Sequence, residues 1–231
     1  MNHRMALSSR SGLAVVITLW STLLVSSPVW AQADLVGKNL IGVRLGPWLA
    51  DGLTTDIKTE YVRVVSSSTA FHLELFYLYN LKGPLFLDLN FGGVSRGDIR
   101  INYQTETEYE SGFGTAMVYP LGIGLGFVPL ATRPNQAIQP FVTAGGSLVI
   151  GTETISSSGY SPYLGNFIGI QSESREALGW YAGAGLDWLL GRSFALSFIC
   201  KYQYAHFGEE LVGVKEYSGT QILVGAAYVY K

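Results

Sequence analysis

Residues 71–79 read FHLELFYLY, and every odd-numbered position in this stretch is apolar or aromatic. His72 and Glu74 stand at even-numbered positions. Side chains of a β-strand point alternately to its two faces, so a period of two predicts one apolar face and one face that holds the polar groups. The stretch therefore predicts a β-strand that lies between two different environments.

The same alternation recurs along the rest of the chain. It is clear in residues 85–91, 121–127, 180–188 and 194–204, and weaker in 39–49, 139–150 and 217–230. These segments have about the length of tilted strands that cross a bilayer. No stretch after Gln32 shows a sustained apolar period of 3.6 residues. We therefore predict an all-β chain with eight strands.

The charged residues inside these segments share one face. They all stand opposite to the large apolar residues, and they are Arg44, Glu74, Asp88, Asp187 and Lys201. An Arg or Lys that faces lipid at the membrane midplane costs about 2–4 kcal/mol. The pattern thus predicts that the apolar face contacts lipid and that the five charges form a network in an enclosed lumen. Internal packing and a proton or ion path are both open as roles for that network.

The composition excludes several classes of protein. Of the 231 residues 14% are charged, against about 25% in a typical soluble domain. High hydrophobicity excludes a disordered chain. A formal net charge of −2 lacks the excess of basic residues that is typical of nucleic-acid-binding proteins. The single cysteine, Cys200, excludes an intrachain disulfide and a cysteine-rich metal site. We predict no cofactor, no metal and no nucleic-acid partner.

The first residues have the features of a signal peptide. His3, Arg4 and Arg10 precede a mostly apolar run at 13–25, and the run ends at a helix-breaking Ser-Ser-Pro. Ala31 fits the small residue expected before a cleavage site. We therefore predict a signal peptide at 1–31 and a barrel domain at 32–231, with an uncleaved membrane anchor as the alternative.

The connections between the segments alternate in length. Long connections are expected at 51–68, 96–114, 151–177 and 207–216, and short turns at 81–83 and 190–192. Long loops on one side and tight turns on the other are typical of an up-and-down antiparallel transmembrane β-barrel. With a periplasmic N-terminus, all the long connections fall outside the cell.

Side-chain size on the two faces predicts the interior of this barrel. An eight-stranded barrel is only wide enough for side chains to fill it. Small inward residues, such as Gly124, Gly126 and Gly185, should leave room for larger inward ones, namely Phe76, Phe86, Phe141 and Tyr181. Outward aromatic residues near segment ends should form interfacial girdles. Trp48 does not fit a girdle, because it shares the parity of inward Arg44 unless Gly46-Pro47 shifts the alternation. We therefore predict a plugged or narrow lumen.

Three stretches resemble the small outer-membrane β-barrel family that includes OmpA-, OmpX- and OmpW-like domains. They are QPFVTAGG at 139–146, WYAGAGLD at 180–187 and SGTQILVGAAYVY at 218–230. The resemblance implies a place in the outer membrane of a Gram-negative-type bacterium. It also implies contact with outer-membrane lipids and lipopolysaccharide, and insertion by the barrel-assembly machinery. That machinery usually recognises an aromatic residue at the C-terminal end of the last strand. In this sequence the aromatic Tyr230 is followed by Lys231.

The function predicted from these features is a structural or surface-interaction role in the envelope, without catalysis. A narrow channel for small or hydrophobic solutes is the second possibility. A lipid A deacylase-like hydrolase is a third, because such enzymes carry a His-x-Ser-Asn motif and His206 lies in a comparable place. Gly208 nevertheless occupies the position of the nucleophile. A soluble lipocalin-type barrel would need the inverse pattern, with charged residues outside.

Two of the predicted loops contain residues that could bind a partner. Glu106, Glu108 and Glu110 could bind Ca²⁺ or bridge lipopolysaccharide through divalent ions, or form a solvated acidic loop. Tyr160, Tyr163 and Phe167 could cover the barrel mouth or contact a partner that the sequence does not identify.

Overall fold

The structure, a computed structural model, describes residues 37–51, 56–58, 62–66, 69–104, 107–129, 137–163, 165–190, 193–211 and 214–231. The predicted signal peptide at 1–31 lies outside these residues. Within the described residues, no helix is long and apolar enough to cross a membrane.

Strands account for nearly all of the described chain. Their bounds are β1 Asn39–Ala50, β2 Asp56–Lys58, β3 Val62–Ser66, β4 Thr69–Lys82, β5 Leu85–Gln104, β6 Tyr109–Phe127, β7 Ile138–Ser161, β8 Gly165–Leu189, β9 Phe194–Leu211, β10 Val214–Glu216 and β11 Gly219–Tyr230.

Eight of these strands form a closed antiparallel ring. The order around the ring is β1, β4, β5, β6, β7, β8, β9 and β11, and β11 pairs again with β1. The short strands lie off the ring, since β3 pairs with β5, β2 with β3, and β10 with β9. Closure pairs the backbone of the first strand with that of the last, which removes the sheet edges. The prediction of an eight-stranded up-and-down antiparallel barrel is confirmed.

The alternation of side chains follows the predicted faces. Along β4, Leu73 and Leu75 are exposed on the outer wall, whereas Phe76 and Leu78 are buried inside the ring. Trp48 is also fully buried, so the Gly-Pro step before it does not shift the alternation of β1. An exposed apolar outer wall around a buried polar interior is the arrangement expected of a barrel in lipid.

Aromatic side chains form two belts on the outer wall. At one end Trp180 stacks on Tyr204, with ring centroids 5.8 Å apart. At the other end Tyr228 stacks on Tyr230 and meets the edge of Phe194. Such rings favour the level of the lipid headgroups, so the two belts mark the two membrane interfaces.

All four predicted long loops contain strand residues, and two of them are almost entirely strand. Within 51–68 lie β2 and β3, and within 207–216 lie the end of β9 and β10. Residues 96–104 and 109–114 belong to β5 and β6, and residues 151–161 and 165–177 belong to β7 and β8. These parts lack the sustained apolar alternation of the wall because they extend beyond the membrane, where no lipid requires one face to be apolar throughout. Backbone pairing continues there without it, as between Glu153 and Glu173. Glu106 lies outside the described residues, so the predicted acidic trio has no described geometry.

Glycines leave room inside the ring for large side chains, as predicted. A Cβ atom on Gly126 would lie 1.9 Å from the Phe86 ring, and one on Gly185 would lie 2.4 Å from the Phe141 ring. The two rings meet edge to face across the lumen, with centroids 5.9 Å apart. The interior is therefore filled by side chains, as the size of an eight-stranded barrel requires.

Candidate functional site: a charged layer inside the lumen

Two apolar clusters occupy the lumen, one toward each end. The cluster at the end where β1 begins contains Leu40, Phe76, Leu78, Phe86, Phe141, Leu189, Ala195, Ile199, Leu223, Ala227 and Val229. The cluster at the opposite end contains Trp48, Val94, Ala116, Val118, Val149, Ala177, Ala205, Phe207, Leu211 and Tyr217. Between the clusters lie the five charged residues singled out from the sequence. Each is at most 5% exposed, and the five are Arg44, Glu74, Asp88, Asp187 and Lys201.

Glu74 is the centre of this charged layer. Arg44 pairs with Glu74 across β1 and β4, and its Nη1 atom lies 3.3 Å from Oε1 of the carboxylate. Lys201 reaches from β9, which is separated from β4 by two strands, and donates through Nζ to Oε2. Lys201 also contacts the amide oxygen of Asn90 at 3.5 Å. One carboxylate thus forms ion pairs with two buried cations that come from distant parts of the chain.

Arg44 connects Glu74 to a second carboxylate. Its Nε and Nη2 atoms donate to Oγ of Ser197 at 3.1 and 2.9 Å. The Ser197 hydroxyl donates in turn to Oδ1 of Asp187 at 2.6 Å. The guanidinium also lies 3.6 Å from the centroid of the Phe76 ring, within the range of a cation–π contact. Arg44 is therefore held by three hydrogen bonds to Glu74 and Ser197 and by the nearby rings of Phe76 and Phe141.

Neutral donors hold Asp88, the remaining charged residue. The Thr143 hydroxyl donates to Oδ2 of Asp88 at 2.8 Å, and the Asn90 amide donates to Oδ1 at 3.4 Å. Thr143 and Asn90 were not among the residues predicted to form the site, nor was Ser197. Each is buried on the lumen face of its strand, so their parity was the signal that could have identified them.

His72 lies in the lumen, on the same face of β4 as Glu74. Its Nε2 atom is 3.9 Å from Oε2 of Glu74, and its ring meets Trp48 edge to face at 5.3 Å. Neither ring nitrogen of His72 has a hydrogen bond within the described part of the chain. His72 therefore borders the charged layer without a hydrogen bond that would fix its orientation.

His206 lies on the outer surface, beyond the Trp180–Tyr204 belt. Its Nδ1 atom is 3.2 Å from Oε2 of Glu216, and the Ser218 hydroxyl donates to Oε1 of the same carboxylate. A serine nucleophile would need to lie within reach of the imidazole that acts as its base. Ser218 instead bonds to the carboxylate, and residue 208 is glycine. The Glu216 carboxylate therefore orients the His206 ring, but the Ser218 hydroxyl is bonded to that carboxylate and not to the imidazole.

The Glu216 contacts predict a titration that can be measured. Burial raises the pKa of Glu216, but hydrogen bonds from Ser218 and His206 outweigh it and bring the pKa below its usual range. The stabilisation that Glu216 contributes is therefore complete above the pKa of the unfolded chain and is lost as the pH falls through the folded pKa. Because the pair is partly exposed, we expect less than about 1 kcal/mol.

Carboxyl-carbon NMR in detergent micelles checks this titration. His206→Ala should raise the pKa of Glu216 toward its ordinary value, whereas Lys215→Ala, a change at an exposed neighbour, should leave it nearly unchanged. Equal pKa values for Glu216 in the wild type and in His206→Ala would contradict the assignment.

The combination of a closed ring, an apolar outer wall, aromatic belts and buried charges defines a transmembrane β-barrel. The chain belongs to a family described as the outer membrane protein beta-barrel domain, whose model matches residues 17–229. It is thus a β-barrel protein of the bacterial outer membrane, and its apolar wall contacts the lipids of that membrane.

Solved structures with a similar chain path include three outer-membrane proteins. Ail, the attachment invasion locus protein of Yersinia pestis, is 17% identical, with 84% of this chain and 99% of Ail covered and a TM-score of 0.42. OprG from Pseudomonas aeruginosa is 14% identical, with coverages of 87% and 99% and a TM-score of 0.45. Neisserial surface protein A is 11% identical, with coverages of 83% and 96% and a TM-score of 0.39. A search of curated proteins found no match.

Proposed function

We propose that this protein is a closed barrel with a structural or surface-interaction role in the cell envelope, and that its lumen does not conduct. The supporting observation is the packing of the lumen, in which a charged layer lies between two apolar clusters. In this proposal the ion pairs of Arg44, Glu74 and Lys201 serve internal packing. Buried charges are costly unless they are paired, so pairing is their least expensive arrangement.

The proposal includes an orientation and a route to the membrane. Residues 1–31 direct export, and the barrel-assembly machinery inserts the chain with its N-terminus in the periplasm. The long hairpin of β7 and β8 then projects from the cell surface, while the turn at Gly83 faces the periplasm. In this orientation the partners of the protein are outer-membrane lipids and lipopolysaccharide, which surround the wall of the barrel.

Planar-bilayer recording tests the closed lumen. Pure folded protein should give no steady unitary currents under conditions in which a general porin gives them. Steady currents would contradict the proposal and support a narrow channel instead. In that case Glu74→Ala should change the conductance while Glu173→Ala, a substitution in an exposed ion pair, should not.

We infer further that the protein acts without catalysis. His206 has a carboxylate partner, but its neighbour Ser218 bonds to that carboxylate. Incubation with lipid A should therefore release no fatty acid. Release of fatty acid by the wild type, with loss of that activity in His206→Ala, would contradict this inference.

A further inference from the structure

Four ring strands, β5 to β8, continue far beyond the apolar wall and form an extension, in which β5 pairs with β6 as far as Gln104 and Tyr109. Along it β6 pairs with β7 as far as Tyr109 and Tyr160, and β7 pairs with β8 as far as Ser161 and Gly165. One face of this extension continues the outer wall of the barrel, because the pairing register of β6, β7 and β8 is unbroken along their length. That face therefore points away from the barrel axis, in a direction parallel to the membrane plane.

The distal part of this face is apolar, aromatic and hydroxyl-bearing. We call it the lateral patch, and it consists of Tyr109, Ser111, Phe113, Ser156, Ser158, Tyr160, Ile168 and Ile170. Phe113, Ile168 and Ile170 are 65%, 82% and 75% exposed. The rings of Tyr109 and Tyr160 stack at 6.5 Å with an interplanar angle of 20°. Large exposed apolar patches mark interaction sites.

The lateral patch lies outside the hydrocarbon layer. Leu121, Leu148 and Leu178 form the last apolar row of the wall on these strands, and Glu176 is exposed on the same face just beyond. A charge on the lipid face is costly within the bilayer, so the hydrocarbon ends near this row. At about 3.3 Å per residue and a tilt of about 40°, Ile170 lies roughly 20 Å above Leu178.

A polar row lies between the lateral patch and the wall, directly below the patch. It consists of Thr115, Thr154 and Ser172, and the hydroxyls of Thr154 and Ser172 lie 3.3 Å apart. The lateral patch is thus a second apolar surface, which acyl chains do not reach. A ligand of the lateral patch must therefore be present in the layer above the lipid headgroups.

We propose that the lateral patch binds the sugar chain of lipopolysaccharide in the surrounding outer leaflet. Sugars present apolar C–H faces that pack on aromatic rings, and hydroxyls that bond to serine. Rigid aromatic area interleaved with small hydroxyl side chains suits adaptable polar recognition. Arg100 pairs with Phe113 from β5 and is exposed at the border of the patch, where it can meet acidic substituents of the sugars. This inference rests on the surface role and the orientation proposed above.

The test uses protein in phospholipid nanodiscs that contain no lipopolysaccharide. The probe is the lipid-free core oligosaccharide released from lipopolysaccharide by mild acid, and binding is followed by NMR chemical shifts. Titration should be saturable and should shift the resonances of Ile168 and Ile170. The double substitution Phe113→Ser and Tyr160→Ser should weaken binding at least fivefold. Tyr163→Ser, a matched loss of an exposed ring at the hairpin turn, should change affinity less than twofold.

Several outcomes would overturn the proposal. They are an absence of saturable binding by the wild type, equal affinity in the double variant, and self-association that the double variant abolishes while the oligosaccharide does not bind. The last result would assign the lateral patch to a second copy of the chain. Heat-modifiable gel migration checks that each variant is folded, and Ile170→Ser replaces the double variant if that one does not fold. Failure here leaves the closed lumen intact, because bilayer currents test the lumen independently.

Discussion

Replacing Glu74 with alanine should lower the free energy of unfolding by about 3–5 kcal/mol. The carboxylate is the shared partner of Arg44 and Lys201, and all three side chains are almost fully buried. Its removal leaves two cations in the lumen without their partner. Leaving a charge buried and uncompensated is far more costly than losing an exposed pair. Urea unfolding of the barrel in lipid vesicles measures the change.

Glu173→Ala is the matched control for this substitution. Glu173 lies 2.9 Å from Arg175 in an ion pair on the extension, and its side chain is 50% exposed. Exposed pairs contribute about 0.2–1 kcal/mol, so the control should change stability by no more than that. If the two variants unfold at the same urea concentration, the charged layer does not stabilise the barrel.

Replacing Gly225 with alanine should destabilise the barrel by about 1–3 kcal/mol, the usual cost of forcing extra volume into a packed interior. A Cβ atom at this position would lie 2.0 Å from the backbone oxygen of Val43 and 2.8 Å from Cα of Arg44. Both atoms belong to β1, the strand that β11 must pair with to close the ring. Because the backbone cannot move aside as a flexible side chain can, the strands must separate locally.

Gly146→Ala is the control for Gly225→Ala, since it makes the same chemical change at an open position on another strand of the ring. Gly146 faces outward on β7, and a Cβ atom there would meet nothing within 4 Å. Alanine should be neutral there or stabilise the strand by about 0.5–1 kcal/mol, because glycine loses more chain entropy on folding. Equal destabilisation by both substitutions would contradict a close approach of β1 to β11 at Gly225.

The wall of the barrel could be predicted from the sequence because its physical cause is local. Lipid on one side and a lumen on the other impose a period of two on each strand, and the pattern around Glu74 shows it directly. The burial of Trp48 followed from the same parity.

The contacts inside the lumen could not be predicted in the same way. Glu74 and Lys201 are 127 positions apart, and only closure of the ring brings them together. The relay from Arg44 through Ser197 to Asp187 also depends on side-chain reach across the lumen. The extensions of β7 and β8 were missed for the opposite reason, because strands in water need no apolar face to pair.

The placement of the charged layer has a consequence for biogenesis. Arg44, Glu74 and Asp88 lie in the first half of the chain, whereas Asp187 and Lys201 lie in β8 and β9, near its end. A nascent sheet that lacked those late strands would carry an incomplete set of charges and two open edges into hydrocarbon, both of which are unfavourable there. Partly inserted intermediates are therefore disfavoured, and truncation before β9 should leave the polypeptide outside the bilayer.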